Sequence, residues 1–232
     1  MDKQYLKENY DTLIKDIKLT CEQVGRDFNE ITLIAVSKTF PTEDISFINK
    51  LGQIHFGENK VQELKSKFDI LGNENINWHL IGHLQTNKVK FISDFAYLIH
   101  SVDSIKLAGV IDEQAKKQNN IIDILIQVNT SNEGQKSGIE PNDVKKLCAE
   151  VNMLENINIK GLMTIGMFTD DEDIIRNNFK SLKTVYDELK QIYNTFQYLS
   201  MGMTSDYKIA IEEGTNMLRI GSAIFGYRNY SN

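Results

Sequence analysis

Short runs of apolar and β-branched residues recur along the chain, and more polar stretches separate them. Runs of this kind, bounded by polar residues, are typical of buried β-strands. Eight of them predict eight strands: Ile31–Val36, Gln53–Phe56, Trp78–Ile81, Tyr97–His100, Ile122–Val128, Ile157–Ile165, Tyr198–Met201 and Met217–Ile220.

The stretches between these strands carry apolar residues three or four positions apart, as on one face of an α-helix. The spacing is clearest in four segments: Asp44–Leu51, Val61–Leu71, Ile105–Gln118 and Ile174–Ile192. A similar segment, Tyr5–Val24, precedes the first strand. We therefore predict a helix or helical turn after each strand, and an extra N-terminal helix within residues 1–25 that packs on the rest of the fold.

Strands that alternate with helices require right-handed crossovers and a parallel sheet. Eight such units favour an α/β fold of the (β/α)8 TIM-barrel type. The alternative is an open doubly wound sheet, which often has a glycine-rich turn after its first strand. Here that turn reads SKTFPTED and contains no glycine, and no linker-like tract interrupts the chain. We therefore predict one barrel domain over residues 1–232.

Composition narrows the classes of partner. The 232 residues include 26 Lys and Arg against 32 Asp and Glu, and no basic cluster stands out. This balance disfavours nucleic acid and anionic membranes as partners. The N-terminus lacks the apolar core of a signal peptide, and Cys21 and Cys148 lie in no metal-binding or redox spacing. We expect a cytoplasmic protein and, because no long exposed apolar helix stripe stands out, a monomer.

In (β/α)8 barrels, chemistry is concentrated at the C-terminal ends of the strands. Several predicted strands here end in polar residues, whereas the opposite ends are plainer. The polar residues at the C-terminal ends include Lys38, Glu58, Asn59, His83, His100, Asn129, Thr164, Thr204, Ser205, Arg219, Gly221 and Ser222.

Lys38 follows the first predicted strand, in the stretch AVSKTFP. If strand alternation continues, Lys38 points into the barrel mouth with Val36 and Ile34. Partial desolvation there favours the neutral amine, which is a nucleophile for an aldehyde or ketone. The alternative is a lysine at a strand end with its charged head in solvent. Lys38 taken alone favours the second interpretation.

Two loops have features of a phosphate site. Thr204 and Ser205 follow the seventh strand and open a predicted helical stretch, 206–213, while Gly221 and Ser222 close the eighth. Hydroxyls and free backbone N–H groups at a helix start bind anions, and barrel phosphate sites are often built from these two loops. The alternatives are an ordinary helix N-cap and a turn glycine.

Arg219 and His79 each allow two interpretations. Arg219 lies in an apolar strand and is either part of a salt bridge inside the barrel or a cation directed at a ligand. His79 and His83 are four positions apart, which in a strand corresponds to roughly 13 Å and is too far to share a metal ion. We expect His79 to form hydrogen bonds, either to a ligand or within the core.

Eight motifs occur in order over nearly the whole chain: AVSKTFP, FGENKVQE, WHLIGHLQTNK, HSVDS, QVNTSNEGQKSG, GLMTI, LSMGMTSDYKIAI and RIGSAIFG. Together they resemble the pyridoxal 5′-phosphate homeostasis protein family. The resemblance is specific because many motifs agree in order and spacing. It implies a single fold-type III barrel, similar to the N-terminal domain of alanine racemase.

The resemblance also implies roles for individual residues. It makes Lys38 the residue that forms a Schiff base with the aldehyde of pyridoxal 5′-phosphate, and it directs Arg219 at the pyridine nitrogen. It assigns two further groups: Asn59 and His79 near the cofactor ring, and Thr204, Ser205, Gly221 and Ser222 around the phosphate.

One matched position departs from the family pattern, and another has no defined role. The family commonly has serine directly after MGM, where this chain has Thr204. The hydroxyl is kept, so we expect phosphate binding to be kept as well. Lys136 matches a family lysine near the barrel mouth, and the resemblance does not define its role.

A cation at the pyridine nitrogen disfavours protonation of that nitrogen and weakens the ring as an electron sink. Enzymes that resemble alanine racemase have a second domain with a catalytic tyrosine, which we do not expect in a chain ending at Asn232. The resemblance thus implies binding, buffering and delivery of the cofactor, without catalysis, with apo-forms of pyridoxal phosphate enzymes as possible partners. The alternatives are a small fold-type III enzyme such as an amino-acid racemase, and a barrel enzyme that uses Lys38 on a sugar phosphate.

Overall fold

Eight parallel strands close into a barrel in chain order, in a computed structural model that describes residues 2–72, 75–131 and 137–226. The predicted (β/α)8 barrel is therefore confirmed. Its strands are β1 (Thr32–Val36), β2 (His55–Glu58), β3 (Asn77–Leu80), β4 (Leu98–Val102), β5 (Ile122–Gln127), β6 (Ile157–Met163), β7 (Tyr198–Ser200) and β8 (Met217–Ile220). Pairing of β1 with β8 closes the barrel and places Ile34 opposite Arg219.

Helices follow most of the strands. They are α1 (Lys3–Gln23), α2 (Thr42–Lys50), α3 (Val61–Leu71), α4 (Ile105–Lys117), α5 (Val144–Val151), α6 (Glu172–Lys190), α7 (Tyr207–Glu212) and α8 (Ser222–Phe225). Side-chain caps define three of the starts, because Asp2, Ser104 and Asp171 accept hydrogen bonds from backbone N–H groups of the first turns of α1, α4 and α6. The connection from β3 to β4 is a 3-10 turn, Thr86–Phe91.

Two apolar layers hold the barrel together. The larger layer lies between the strands and the surrounding helices and includes Leu33, Ala35 and Trp78. The smaller layer fills the barrel interior with Ile34, Leu98, Leu125, Met163 and Met217. Adjacent residues of β1 thus face opposite layers, as strand geometry requires.

Helix α1 packs against α2, α7 and α8 on the outside of the barrel. Its buried face carries Leu6, Leu13 and Ile17, spaced as one side of an α-helix. In the part of the chain that the structure describes, no helix combines the length and the apolar character that a bilayer span requires.

Gly161 allows β6 and β7 to pair closely. Its φ angle is 144°, and a Cβ atom added there would lie 1.8 Å from the carbonyl oxygen of Tyr198. Neither the backbone conformation nor the space suits an L side chain. The register shift between β5 and β6 lies at the same level of the barrel, next to Gly161.

We expect Gly161→Ala to lower the free energy of unfolding by about 3 kcal/mol or more, because the strand pair must separate to admit the methyl group. Denaturant unfolding measures the change. Gly109→Ala is the control: a Cβ there meets no atom within 4 Å, so alanine should stabilise helix α4 by up to about 1 kcal/mol. Equal stabilities of the two variants would contradict the packing described for Gly161.

Candidate functional site

A cavity of about 930 Å³ opens at the C-terminal ends of the strands. This volume lies within the range of small-molecule binding sites. Among the residues predicted for a site, the following line it: Lys38, Asn59, Thr204, Ser205, Arg219, Gly221 and Ser222. The barrel thus brings together residues that are far apart in the sequence.

Lys38 lies two residues beyond the end of β1, in the turn that leads to α2. Its side chain is half-buried and shares the cavity wall with Val36. Ile34, two positions before Val36, lies in the barrel interior. The alternation from Ile34 to Lys38 therefore directs the amine to the cavity rather than to the outer surface.

Contacts between loops surround this lysine. Phe40 stacks on Phe225 with ring centroids 4.9 Å apart, which joins the loop after β1 to helix α8. The Thr204 hydroxyl lies 3.4 Å from the backbone nitrogen of Ala223 and accepts its hydrogen. The loops after β7 and β8 therefore form one continuous wall of the cavity, with the hydroxyls of Thr204, Ser205 and Ser222 along it.

Arg219 contributes a buried guanidinium to the cavity. Its Nη1 donates to Ser200 Oγ at 2.6 Å, and its Nη2 donates to the carbonyl oxygen of Thr164 at 2.7 Å. Burial lowers its pKa to about 10, which the attraction of Asp206 only partly offsets, so the guanidinium stays charged at neutral pH. Among the described residues, no carboxylate lies within ion-pair distance of it. The alternative of a salt bridge inside the barrel is therefore not found among the described residues, and the role of Arg219 toward a ligand stays a prediction.

His79 lies deeper in the barrel than the residues that line the cavity. It is fully buried inside the barrel and is not among the residues that line the cavity. Its Nε2 lies 2.9 Å from His55 Nδ1, and its Nδ1 lies 2.9 Å from His100 Nε2. With both ring nitrogens used in this way, His79 is a hydrogen-bonding residue of the core, and its place near a cofactor ring stays a prediction.

The histidine chain ends at Arg219. His100 Nδ1 lies 3.3 Å from Ser200 Oγ, the atom that accepts from the guanidinium. Burial holds the pKa of His79 and of His100 well below the usual value, and neighbouring positive charge acts in the same direction. A neutral imidazole has one donor and one acceptor, so such a chain can be satisfied from end to end. Ser200 was not predicted, although the alternation that places Tyr198 inside the barrel also places Ser200 there.

No ligand role was predicted from the sequence for the other cavity residues, although His83 was among the strand-end residues named above. Apolar walls and additional polar groups come from Val36, Phe40, Ile81, Gly82, His83, Gln127, Ser137, Ile165, Phe168, Met203 and Gly226. Position 82 requires a glycine, because a Cβ atom there would lie 2.3 Å from the carbonyl oxygen of Asn59. Lys136 lies outside the described residues.

The fold and the sequence define the class of protein. The family model described as alanine racemase, N-terminal domain, matches residues 22–229. Alanine racemase of Clostridium difficile 630 superposes with a TM-score of 0.79 at 16% identity, covering 98% of this chain and 58% of the racemase chain. At that identity the likeness concerns the fold alone.

More similar relatives define the family more narrowly. The pyridoxal phosphate homeostasis proteins of Aquifex aeolicus and Pasteurella multocida are 40% and 38% identical, over 96% and 97% of this chain and 98% and 99% of their own lengths. The chain therefore belongs to the pyridoxal phosphate homeostasis protein family.

Two solved structures are similar over most of their length. An unknown protein from Bifidobacterium adolescentis is 32% identical with a TM-score of 0.91, covering 96% of this chain and 95% of that one. PipY of Synechococcus elongatus PCC7942, solved with PLP bound, is 32% identical with a TM-score of 0.79, covering 90% of this chain and 100% of PipY.

Because His79 and His100 are neutral in the folded protein, we expect its free energy of unfolding to fall in acid. Below a pH of about 6.5 the unfolded chain takes up protons at His79 and His100 that the folded protein does not bind, so the free energy of unfolding falls as the pH falls. Glutamine can both donate and accept, so His79→Gln keeps the hydrogen-bond chain but removes one titrating group.

We expect the wild type to lose about 1 kcal/mol more than His79→Gln between pH about 7.5 and pH about 5.5. Urea unfolding of both proteins across this range measures the difference. An identical pH dependence for the two proteins would mean that His79 takes up a proton in the folded state.

Proposed function

We propose that this chain binds pyridoxal 5′-phosphate and takes part in the homeostasis of that cofactor, holding it through Lys38 for buffering and delivery. The observation that carries the proposal is the buried Arg219 cation, which has no paired carboxylate among the described residues and borders a cavity that also contains the Lys38 amine. The family relatives named for this role, and the PipY structure with PLP bound, support it.

The cavity residues fit the three polar parts of the cofactor. Lys38 Nζ can condense with the aldehyde carbon, with loss of one water, and hydrolysis reverses the step. Arg219 has five N–H donors, and the two recorded hydrogen bonds leave others for the acceptor nitrogen of the ring. The hydroxyls of Thr204, Ser205 and Ser222 and the backbone of Gly221 are suited to the phosphate, and Asn59 lies on the same cavity wall.

The same residues favour holding the cofactor over using it. When bound, pyridoxal phosphate supplies an electron sink, and this sink is strongest when its ring nitrogen is protonated. Arg219 is cationic and opposes that proton by like-charge repulsion. We propose a monomeric, non-catalytic carrier in the cytoplasm, with apo-forms of pyridoxal phosphate enzymes as recipients. An amino-acid racemase is the alternative, and the barrel likeness to alanine racemase is its support.

We expect purified protein mixed with pyridoxal 5′-phosphate to gain a visible absorption band, and borohydride reduction to leave a pyridoxyl group on Lys38. Lys38→Ala should lose both, because Lys38 is the lysine among the described residues that line the cavity. Lys60→Ala is the matched control, since Lys60 is an exposed lysine directly before helix α3, in the connection that follows β2. Absorbance spectra and peptide mass analysis measure the result.

A pyridoxyl group on another residue, or an unchanged band in Lys38→Ala, would contradict the proposal. Chiral analysis after incubation with each of several amino acids separates the two functions. Racemisation that depends on Lys38 and exceeds that of free pyridoxal phosphate would favour the racemase.

A further inference from the structure

A cluster of three charged residues lies behind the turn that carries Lys38. We call Glu58, Glu63 and Lys67 the back cluster. Glu58 ends β2, while Glu63 and Lys67 lie one turn apart on α3. Glu58 is fully buried, Lys67 is nearly so, and none of the three lines the cavity.

The ammonium of Lys67 joins the cluster to the chain just before Lys38. Its Nζ donates to the carbonyl oxygen of Ser37 at 2.8 Å and to Oε1 of both Glu58 and Glu63 at 2.7 Å. A lysine ammonium has three donors. All three are therefore used, and one of them holds the backbone of the residue that precedes Lys38.

The two carboxylates hold the residues on either side of Lys38. Ser37 Oγ donates to Glu58 Oε1 at 2.7 Å, and the backbone N–H of Thr39 donates to Glu63 Oε1 at 2.5 Å. The chain before and after Lys38 is thus bound to one cluster on the outer side of the barrel wall. The amine itself projects to the opposite side, into the cavity.

The turn needs such support because its backbone is strained. Thr39 has a φ angle of 72°, in the left-handed region that a β-branched residue rarely adopts. Strain of this kind persists only where surrounding contacts fix the backbone, and it is concentrated at functional sites. The hydrogen bond from Thr39 to Glu63 is one such contact.

If the cluster served only to stabilise the fold, it would be a costly arrangement. Buried ion pairs commonly contribute no more to stability than well-packed apolar residues would. Oε2 of Glu58 is buried and has no hydrogen-bond partner among the described residues, and burial raises the pKa of that carboxyl to about 7 although Lys67 and Ser37 oppose the rise. The hydrogen bonds from the cluster to Ser37 and Thr39 instead fix the orientation of the turn.

We propose that Glu58, Glu63 and Lys67 are positioning residues for Lys38, and that they set the rate at which its amine captures pyridoxal phosphate. This inference rests on the proposed function, in which Lys38 Nζ condenses with the aldehyde and water leaves. The back cluster touches neither the cofactor nor the amine. It fixes Ser37 and Thr39, and thereby the direction in which Lys38 enters the cavity.

The test compares two ligands that differ at one group. Pyridoxal 5′-phosphate has the aldehyde, while pyridoxine 5′-phosphate has an alcohol in its place and uses only the rest of the cavity. Stopped-flow absorbance measures capture of the first, and calorimetry measures the affinity for the second. Glu63→Ala removes the bond to Thr39 at a partly exposed position, where side-chain exposure is 24% and folding should be tolerated.

We expect Glu63→Ala to slow capture about tenfold and Lys67→Met to slow it further, since each removes hydrogen bonds to charged groups. The affinity for pyridoxine 5′-phosphate should be unchanged. Lys65→Met is the matched control, because Lys65 pairs with Asp69 on the exposed side of the same helix. It should capture at the wild-type rate.

Wild-type capture rates in Glu63→Ala would overturn the positioning role, and so would an equal loss of affinity for the alcohol, which would indicate a general structural role. If Lys67→Met fails to fold, Glu63→Ala alone decides. Capture by Lys38→Ala, or no capture by the wild type, would instead overturn the proposed function, and the positioning role with it.

Discussion

The site depends on a guanidinium buried inside a parallel barrel. Arg219 lies in β8 and is satisfied by neutral acceptors, a serine hydroxyl and a backbone carbonyl, rather than by a carboxylate. A buried charge is costly unless partners compensate for it. Here the compensation within the protein is only partial, because Asp206 attracts the cation without forming an ion pair among the described residues. The positive charge that remains is available to an acceptor in the cavity, and the rest of the site is arranged around it.

Two polar networks support the cavity from opposite sides of the barrel wall. Inside the barrel, the histidine chain from His55 to His100 reaches Arg219 through Ser200. Outside it, the back cluster holds the turn around Lys38. Pairing of β1 with β8 brings the Lys38 turn and Arg219 to one cavity. Each network fixes one of the two nitrogen groups, Lys38 and Arg219, to which the proposed function gives a role.

The sequence predicts the barrel well because its signals are local. Apolar runs and helical spacing are properties of neighbouring residues, and the strand-end rule then groups Lys38 with Ser205 and Arg219. The roles of these residues toward the cofactor stay predictions. No local pattern in the sequence indicates how deep a residue lies inside the barrel. The sequence therefore places His79 in the interior but does not predict how far it lies from the cavity. The back cluster was missed for a related reason: Glu63 and Lys67 have the spacing of an ordinary exposed helix pair, and only the folded chain brings Glu58 and Ser37 to them.

A protein that buffers a cofactor must release it as well as retain it, and these residues separate the two tasks. Noncovalent affinity would come from Arg219 and the hydroxyl wall, which are present whether or not Lys38 reacts. In the proposed function, a covalent link to Lys38 would add retention, and because water reverses it, the same link would permit release. In the proposed site, Arg219 at the ring nitrogen would contribute to binding and would oppose the protonation on which most catalysis by this cofactor relies. An arginine that stays charged at neutral pH would in that site combine firm binding with low reactivity, which is the combination that storage and delivery require.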